Sequence, residues 1–294
     1  MKSKKAPRRA AAQPNTKSPR ASGAPRRSHA SSGRQGNRPG WAHESLVFGL
    51  HAVTTLLARH PEQVRQLLVQ KGREDERMQT VLRLAQDAGI ACHVCDKETL
   101  DAGIEGVHQG VVALCRPLEA GNEQALDQRL AEVAREGRMP LLLVLDGVTD
   151  PHNFGACLRS ADAAGVDAIV VPKDKAAPLN ATVRKVACGA AEALPVIAVT
   201  NLARTLRQLA DQGMWVVGTA GEADQLVYEV DLNRPLVMVM GAEGKGMRRL
   251  TREHCDELIK LPMAGEVSSL NVSVAAGVCL YEVVRQRIAC QVKR

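Results

Sequence analysis

The sequence predicts an α/β protein whose larger part is a parallel sheet with helices on both faces. Three observations predict it. From Met139 onward, short apolar runs alternate with stretches of helical period, the order of a βαβ chain. The runs are continuously apolar rather than alternating, as in strands buried on both sides. The later runs end in glycine-rich or irregular polar loops, where an open α/β sheet carries its ligand.

In chain order, residues 1–43 stand apart, with 11 Lys/Arg, no Asp/Glu and prolines at 7, 14, 19, 25 and 39. They carry too little apolar surface to offset the entropy of ordering, so a disordered basic tail is expected. The chain has 39 Lys+Arg and 32 Asp+Glu; without the tail's 11, the remainder holds 28 against 32. All the positive excess therefore lies in the tail, which suits an arm on RNA phosphates, with a merely solubilising tail as the alternative. An organellar transit peptide fits poorly, because the tail is dense in proline and has no amphipathic period. No run of 18 apolar residues and no secretory apolar segment is present, so a cytoplasmic protein with reduced cysteines and no membrane span is expected.

Residues 44–117 read as a small α/β unit. Its elements are a helix over Gly49–Arg59, a strand over Gln66–Gln70, a helix whose apolar face is Met78, Val81, Leu82 and Ala85, and strands over Ala91–Cys95 and Val111–Arg116. The loops Lys71-Gly72-Arg73 and His108-Gln109-Gly110 are either ordinary polar turns or contacts to phosphate and bases. Aromatic residues make up only 2% of the chain, which argues against base-stacking platforms. Cys92-x-x-Cys95 is the only CxxC among eight cysteines, and no second pair stands at zinc spacing. It lies in a strand whose alternate residues are expected to face the core, so no metal is expected. Cys157, Cys188 and Cys279 fall in helical patterns and read as small core residues.

Residues 118–138 are polar and read as a linker with some helical character. Residues 139–294 form the second unit. Strands are expected over Leu141–Leu145, Ala168–Val171, Pro195–Ala198, Trp215–Thr219, Leu236–Met240 and Glu257–Leu261. Helices are expected over Phe154–Ala164, Leu179–Gly189, Leu202–Gln212, Arg248–Cys255 and, at the end, about Val272 to Arg287.

The chemistry gathers late in the chain. Gly241-Ala242-Glu243-Gly244-Lys245-Gly246 follows a buried strand directly. It is not a Walker A loop, since Lys245 precedes glycine rather than Ser or Thr, and it falls too late for a dinucleotide fingerprint. With Met247, with Leu261-Pro262-Met263 and with Ser268-Ser269-Leu270-Asn271-Val272-Ser273-Val274-Ala275, it resembles the last two motifs of the SpoU (TrmH) methyltransferases. The stretch from Asp146 through Asn153 and Arg159 to Ser160 resembles their first motif. Three motifs in order make this specific, and from about Val47 to Arg287 the resemblance is strongest to the branch that methylates a guanosine ribose in 23S rRNA.

The resemblance implies a SPOUT-type sheet with a C-terminal trefoil knot, a rare exception to the rule against threaded chains. It further implies an L30e-like RNA-binding unit at 44–117, S-adenosylmethionine (SAM) as cofactor, 23S rRNA as partner with its peptidyl-transferase P loop as target, and a homodimer. A tRNA ribose methyltransferase of the same superfamily and a non-enzymatic ribosome-assembly protein are the alternatives.

The resemblance also sets expectations for the site. Arg159 is the central catalytic residue and Asn153 supports it, although from the sequence alone Arg159 could equally pair with Asp150 or Asp162. A guanidinium is too weak an acid to serve as a base, so Arg159 is expected to bind phosphate or stabilise the developing alkoxide. Glu243 is expected beside the substrate or, more simply, at the N-terminus of the next helix. Ser269 and Asn271 are expected at the ligand, and either could cap the final helix. Gly241, Leu261, Leu270 and Met263 should surround the adenosine, with Thr219 and Gly221 as the remaining wall. Transfer of a sulfonium methyl gains most from positioning, so no metal is implied.

Overall fold

The computed structural model describes residues 39–43, 45–104 and 106–291. The expected basic tail lies outside them except at its end, where Gly40–His43 form a short 3-10 turn and Trp41 packs on the small sheet.

The small unit begins with β1 (Ser45–Phe48), which sequence periodicity missed, and α1 (Leu50–Arg59). Next come β2 (Val64–Gln70), α2 (Glu76–Asp87), β3 (Ala91–Cys95), α3 (Lys97–Gly103) and β4 (Val111–Cys115). Its sheet runs β1-β4-β2-β3, antiparallel except for β2 with β3. One face buries Leu67, Val69, Val111 and Ala113 against Val53, Leu56, Met78 and Val81 of α1 and α2. The other buries Leu46, Phe48, Leu68 and Val112 with Leu100, and Ala181 from the second unit packs against it. β3 departs from expectation: it is an edge strand, with Ala91–Val94 exposed and only Cys95 partly covered. All eight cysteines are free thiols.

The stretch read as a linker holds α4 (Glu123–Arg135), with Asn122 Oδ1 accepting from Ala125 N at its start. Leu126 and Val133 are buried, Leu126 against the large sheet, and Gly121 bridges Ile197. The polar residues of this segment form the outer face of a packed helix.

The large sheet is built from β5 (Leu141–Asp146), α5 (Pro151–Ala163), β6 (Ala168–Pro172), α6 (Ala181–Ala187), α7 (Ala190–Ala193) and β7 (Val196–Val199). It continues with α8 (Leu202–Asp211), β8 (Trp215–Thr219), the two-residue β9 (Gln225–Leu226) and β10 (Leu236–Gly241). The last elements are α9 (Arg249–Glu253), β11 (Glu257–Lys260) and α10 (Val272–Gln291). The strand order is β7-β6-β5-β10-β8-β11-β9, parallel throughout. Continuous apolar strands are buried on both faces: Leu141, Leu143 and Leu145 point to one core, Leu142 and Val144 to the other.

The order reverses between β5 and β10, where Asp146 pairs with Gly241 at the C-terminal ends. That is the switch point at which open α/β sheets bind ligands. Arg287 fixes α10 across the opposite end, donating to the carbonyls of Met139, Pro140 and Arg234. Among the described residues no helix is long and apolar enough to cross a membrane. None of their His, Cys, Asp and Glu side chains form a group of three or more placed to hold a metal ion.

Candidate active site

The loops after β8, β10 and β11 surround a cleft of about 430 Å³ with the start of α10 as its last wall. That volume suits a drug-sized or nucleoside-sized ligand. Thr219, Gly221, Gly241, Leu261, Met263, Ser269 and Leu270 all line it, so every residue expected around the adenosine is gathered there. Leu261 and Met263 are half-buried and Leu270 is exposed, giving the cleft an apolar side suited to a purine face. The glycine loops on the other side present backbone polar groups, so the lining fits SAM.

The shape of this cleft depends on one glycine. Ala242 and Gly246 bond to each other's backbone, at 3.1 and 2.8 Å, folding the loop back over Gly241. A Cβ on Gly241 would overlap the backbone of Gly246 and Met247. Gly244 and Gly246 turn the loop with φ of 74° and 65°, where glycine is favoured. Gly241→Ala is expected to weaken SAM binding by about tenfold or more, since a backbone hydrogen bond to the ligand is worth about 1 kcal/mol and several would be displaced together. Isothermal titration checks this, and an unchanged affinity would show that the loop does not shape the site.

Glu243 belongs both to this cleft and to a second cluster. Its Oε1 accepts from Asn271 Nδ2 at 2.7 Å and from Val272 N at 3.2 Å. Asn271 Nδ2 also donates to Asn153 Oδ1, at 2.9 Å. Asn271 Oδ1 accepts from Ser273 N and Ser273 Oγ, so this side chain also caps α10. Glu243 thus stands at the N-terminus of α10, not of the helix that follows it in sequence. Asn153 is carried by the first turn of α5, which Asp150 caps by accepting from His152 N. Asn153 and Asn271, 118 positions apart, meet here because α10 packs on α5, while the pairing of β10 with β5 brings in Glu243.

With Asn271 fully engaged, Glu243 Oε2 and Asn153 Nδ2 have no partner among the described residues. They leave one acceptor and one donor for a ligand hydroxyl. The Cys157 thiol on α5 is pushed up to about 12 by burial, with the Glu243 carboxylate adding to the shift, so it stays protonated and inert.

Arg159 is not in either group. It is exposed on α5, with Nη1 3.6 Å from Cys188 Sγ. Ser269 lines the cleft but makes no hydrogen bond among the described residues.

Sequence reasoning missed two residues that hold the site together. The side chain of Asp146 is wholly buried at the end of β5, with its carboxylate accepting from Arg248 N at 2.8 Å and Arg248 Nε at 2.6 Å. This pair ties the glycine loop to the first strand. An acidic residue closing an otherwise apolar strand was the signal available. Of the two loops suggested for RNA, both carry internal bonds. Gln109, at φ 51°, accepts from Leu50 N and so caps α1. His108 Nδ1 accepts from Gly110 N, which leaves Nε2 to donate to Asp101. Arg73 donates to Gln109 O and pairs with Asp75.

Residues 140–281 match the SpoU rRNA Methylase family, and residues 46–121 match the family described as RNA 2'-O ribose methyltransferase substrate binding. The chain is similar to the 23S rRNA (guanosine-2'-O-)-methyltransferase RlmB of Pseudomonas aeruginosa, 62% identical over 82% of this chain and 96% of that protein. It is similar to the protein of the same name from Pseudomonas putida, 60% identical over 84% of this chain and 98% of the relative. Among solved structures it resembles the SpoU methyltransferase AviRb of Streptomyces viridochromogenes in complex with the cofactor AdoMet. There the TM-score is 0.68 at 26% identity, covering 87% of this chain and 95% of the other.

Proposed function

The chain belongs to the SpoU rRNA methylase family, and on that footing we propose that it transfers the methyl group of SAM to the ribose 2'-hydroxyl of a guanosine in 23S rRNA. One observation carries this reading: the hydrogen-bonded cluster of Asn153, Glu243 and Asn271 shares Glu243 with a cleft whose lining fits SAM. SAM supplies an electrophilic methyl on a sulfonium. Thr219, Gly221, Gly241, Leu261, Met263, Ser269 and Leu270 would hold it.

Glu243 Oε2 accepts from the 2'-hydroxyl and Asn153 Nδ2 donates to a substrate oxygen, which fixes the attacking oxygen in line. Asn271 holds both side chains in register. Arg159 supplies the positive charge that favours the oxygen as its proton passes to the acceptor of its hydrogen bond, Glu243 Oε2.

The two folded units are 44–117, an L30e-like RNA-binding unit, and 139–294, the methyltransferase, joined through 118–138. The match of residues 46–121 to a substrate-binding family supports the first. A C-terminal trefoil knot is supported by β10 lying between β5 and β8 while α10 returns against α5. The protein works in the cytoplasm, where rRNA is made. Mapping 2'-O-methyl groups in total RNA, with and without the protein, tests the function. The expected site is a guanosine of the peptidyl-transferase P loop, and a site in tRNA, or no change, would overturn the reading.

The active form is a homodimer. Val274, Tyr281 and Ile288 of α10 are each more than half exposed and stand seven residues apart, so they share one face. An exposed apolar stripe of that kind calls for a partner, and a two-fold pairing of α10 would cover it on both copies. Light scattering at micromolar concentration should give twice the chain mass, and Tyr281→Arg should shift it toward the monomer; a monomer in the unaltered protein would refute the pairing.

The 11 basic residues of the tail add charge pairing to phosphates. Removing residues 1–38 should weaken RNA binding and flatten its salt dependence, by about 0.9 in log–log slope for each phosphate no longer neutralised. An unchanged slope would leave the tail without a role in RNA binding.

A further inference from the structure

This inference rests on the reading of Arg159 as the residue that stabilises the reacting ribose. The turn between α6 and α7 is placed to aim that side chain. Cys188 closes α6 in the left-handed conformation, φ 53°, and Gly189 follows at φ 94°. A left-handed cysteine is uncommon, and such strain persists only where its surroundings impose it.

The surroundings here do so from three sides. A Cβ on Gly155 of α5 would come within 2.8 Å of Val183 O and Val186 Cβ, so α6 lies directly on α5. A Cβ on Gly189 would come within 2.8 Å of Thr55 Cγ2, so the turn abuts α1 of the small unit. Arg184, buried on α6, donates to Ser45 Oγ at 2.7 Å and to Arg116 O at 3.2 Å, which ties the helix to β1 and the end of β4.

The thiol of Cys188 donates to Lys185 O at 3.5 Å, which directs its proton away and leaves the sulfur lone pairs for Arg159 Nη1 at 3.6 Å. From this geometry we propose that Cys188 is a positioning residue for Arg159. Its sulfur accepts from the guanidinium and holds it in one orientation, and the clamped left-handed turn fixes the sulfur.

Single-turnover methylation of 23S rRNA by the full-length protein, with SAM affinity and melting temperature measured alongside, tests this. Cys188→Ala should lower the rate by about tenfold, within the range that coupling between contacting residues reaches. Cys188→Ser, which keeps an acceptor and a donor, should stay within about threefold of the unaltered rate by the same measure. SAM affinity should not change in either. Cys188→Gly suits the left-handed turn yet lacks the sulfur, so it should melt no lower than the unaltered protein and still lose rate. In an Arg159→Ala background, Cys188→Ala should have no further effect. A normal rate in Cys188→Ala while Arg159→Ala is impaired would overturn the proposal. So would a Cys188→Ala loss that persists in the Arg159→Ala background, since that loss would not run through the arginine. A normal rate in Arg159→Ala would instead overturn the reading of Arg159 itself.

Discussion

Arg159→Ala is expected to slow methyl transfer by about 10²–10³ while leaving SAM affinity nearly unchanged, the loss seen when a donor to a developing oxyanion is removed. A 2'-hydroxyl is a poor nucleophile, and charge grows on its oxygen as the proton leaves. A guanidinium aimed there, or at the adjoining phosphate, favours the transition state over the ground state. Arg159→Lys should rescue poorly, because an ammonium lacks the planar fork of donors.

The position of Arg159 adds a second expectation. It stands six residues beyond Asn153 on α5, about 9 Å along the helix at 1.5 Å per residue. It is absent from the cleft that Gly241, Leu261 and Leu270 line. In the proposed dimer, the arginine of one chain would serve the Glu243 cluster of its partner. Mixing Arg159→Ala chains with Glu243→Ala chains, each impaired alone, should then restore part of the activity, because every dimer of one chain of each kind holds one intact site. Single-turnover assays on saturating 23S rRNA read both results. If Arg159→Ala keeps its rate and only binds RNA more weakly, the residue docks substrate and takes no part in the transfer.

The sequence made the large sheet legible because its strands are buried on both sides and so are apolar without interruption. Leu141–Leu145 and Leu236–Met240 could hardly be read otherwise. Strand order was not legible, since β10 enters between β5 and β8 through contacts that no local pattern records. α4 was legible only as some helical character in a linker, because its outer face is polar and just Leu126 and Val133 are buried. β1 is only four residues long, too short for a period to emerge. In the site, the motifs named Asn153, Glu243 and Asn271. Only the fold joins them, and only the fold separates Arg159 from them. Asp146 and Cys188 escaped because their roles are to hold other residues, which the identity of a side chain does not announce.

The largest expected loss of stability comes from a buried ion pair between α6 and α7, Arg184 with Glu192. Arg184 Nε donates to Glu192 Oε1 at 2.6 Å, with side chains 0% and 1% exposed. Arg184 Nη1 reaches Ser45 and the Arg116 carbonyl, so the guanidinium is held by both units. Nη2 has no partner among the described residues. Glu192→Ala would leave a buried cation with no counter-charge, a change that costs about 3–5 kcal/mol. At about 2–4 °C of melting temperature per kcal/mol for a chain of this size, a fall on the order of 10 °C is expected. Removing both charges is a different matter. Arg184→Met with Glu192→Leu replaces two desolvated ions by apolar groups, and such exchanges are often neutral or stabilising. The double variant should therefore melt well above Glu192→Ala, though Ser45 and the Arg116 carbonyl lose their donor. Calorimetry on the three proteins separates the outcomes. A Glu192→Ala protein that melts within a degree or two of the unaltered chain would mean that water reaches the pair, and that the junction between the two sheets is held by its apolar contacts alone.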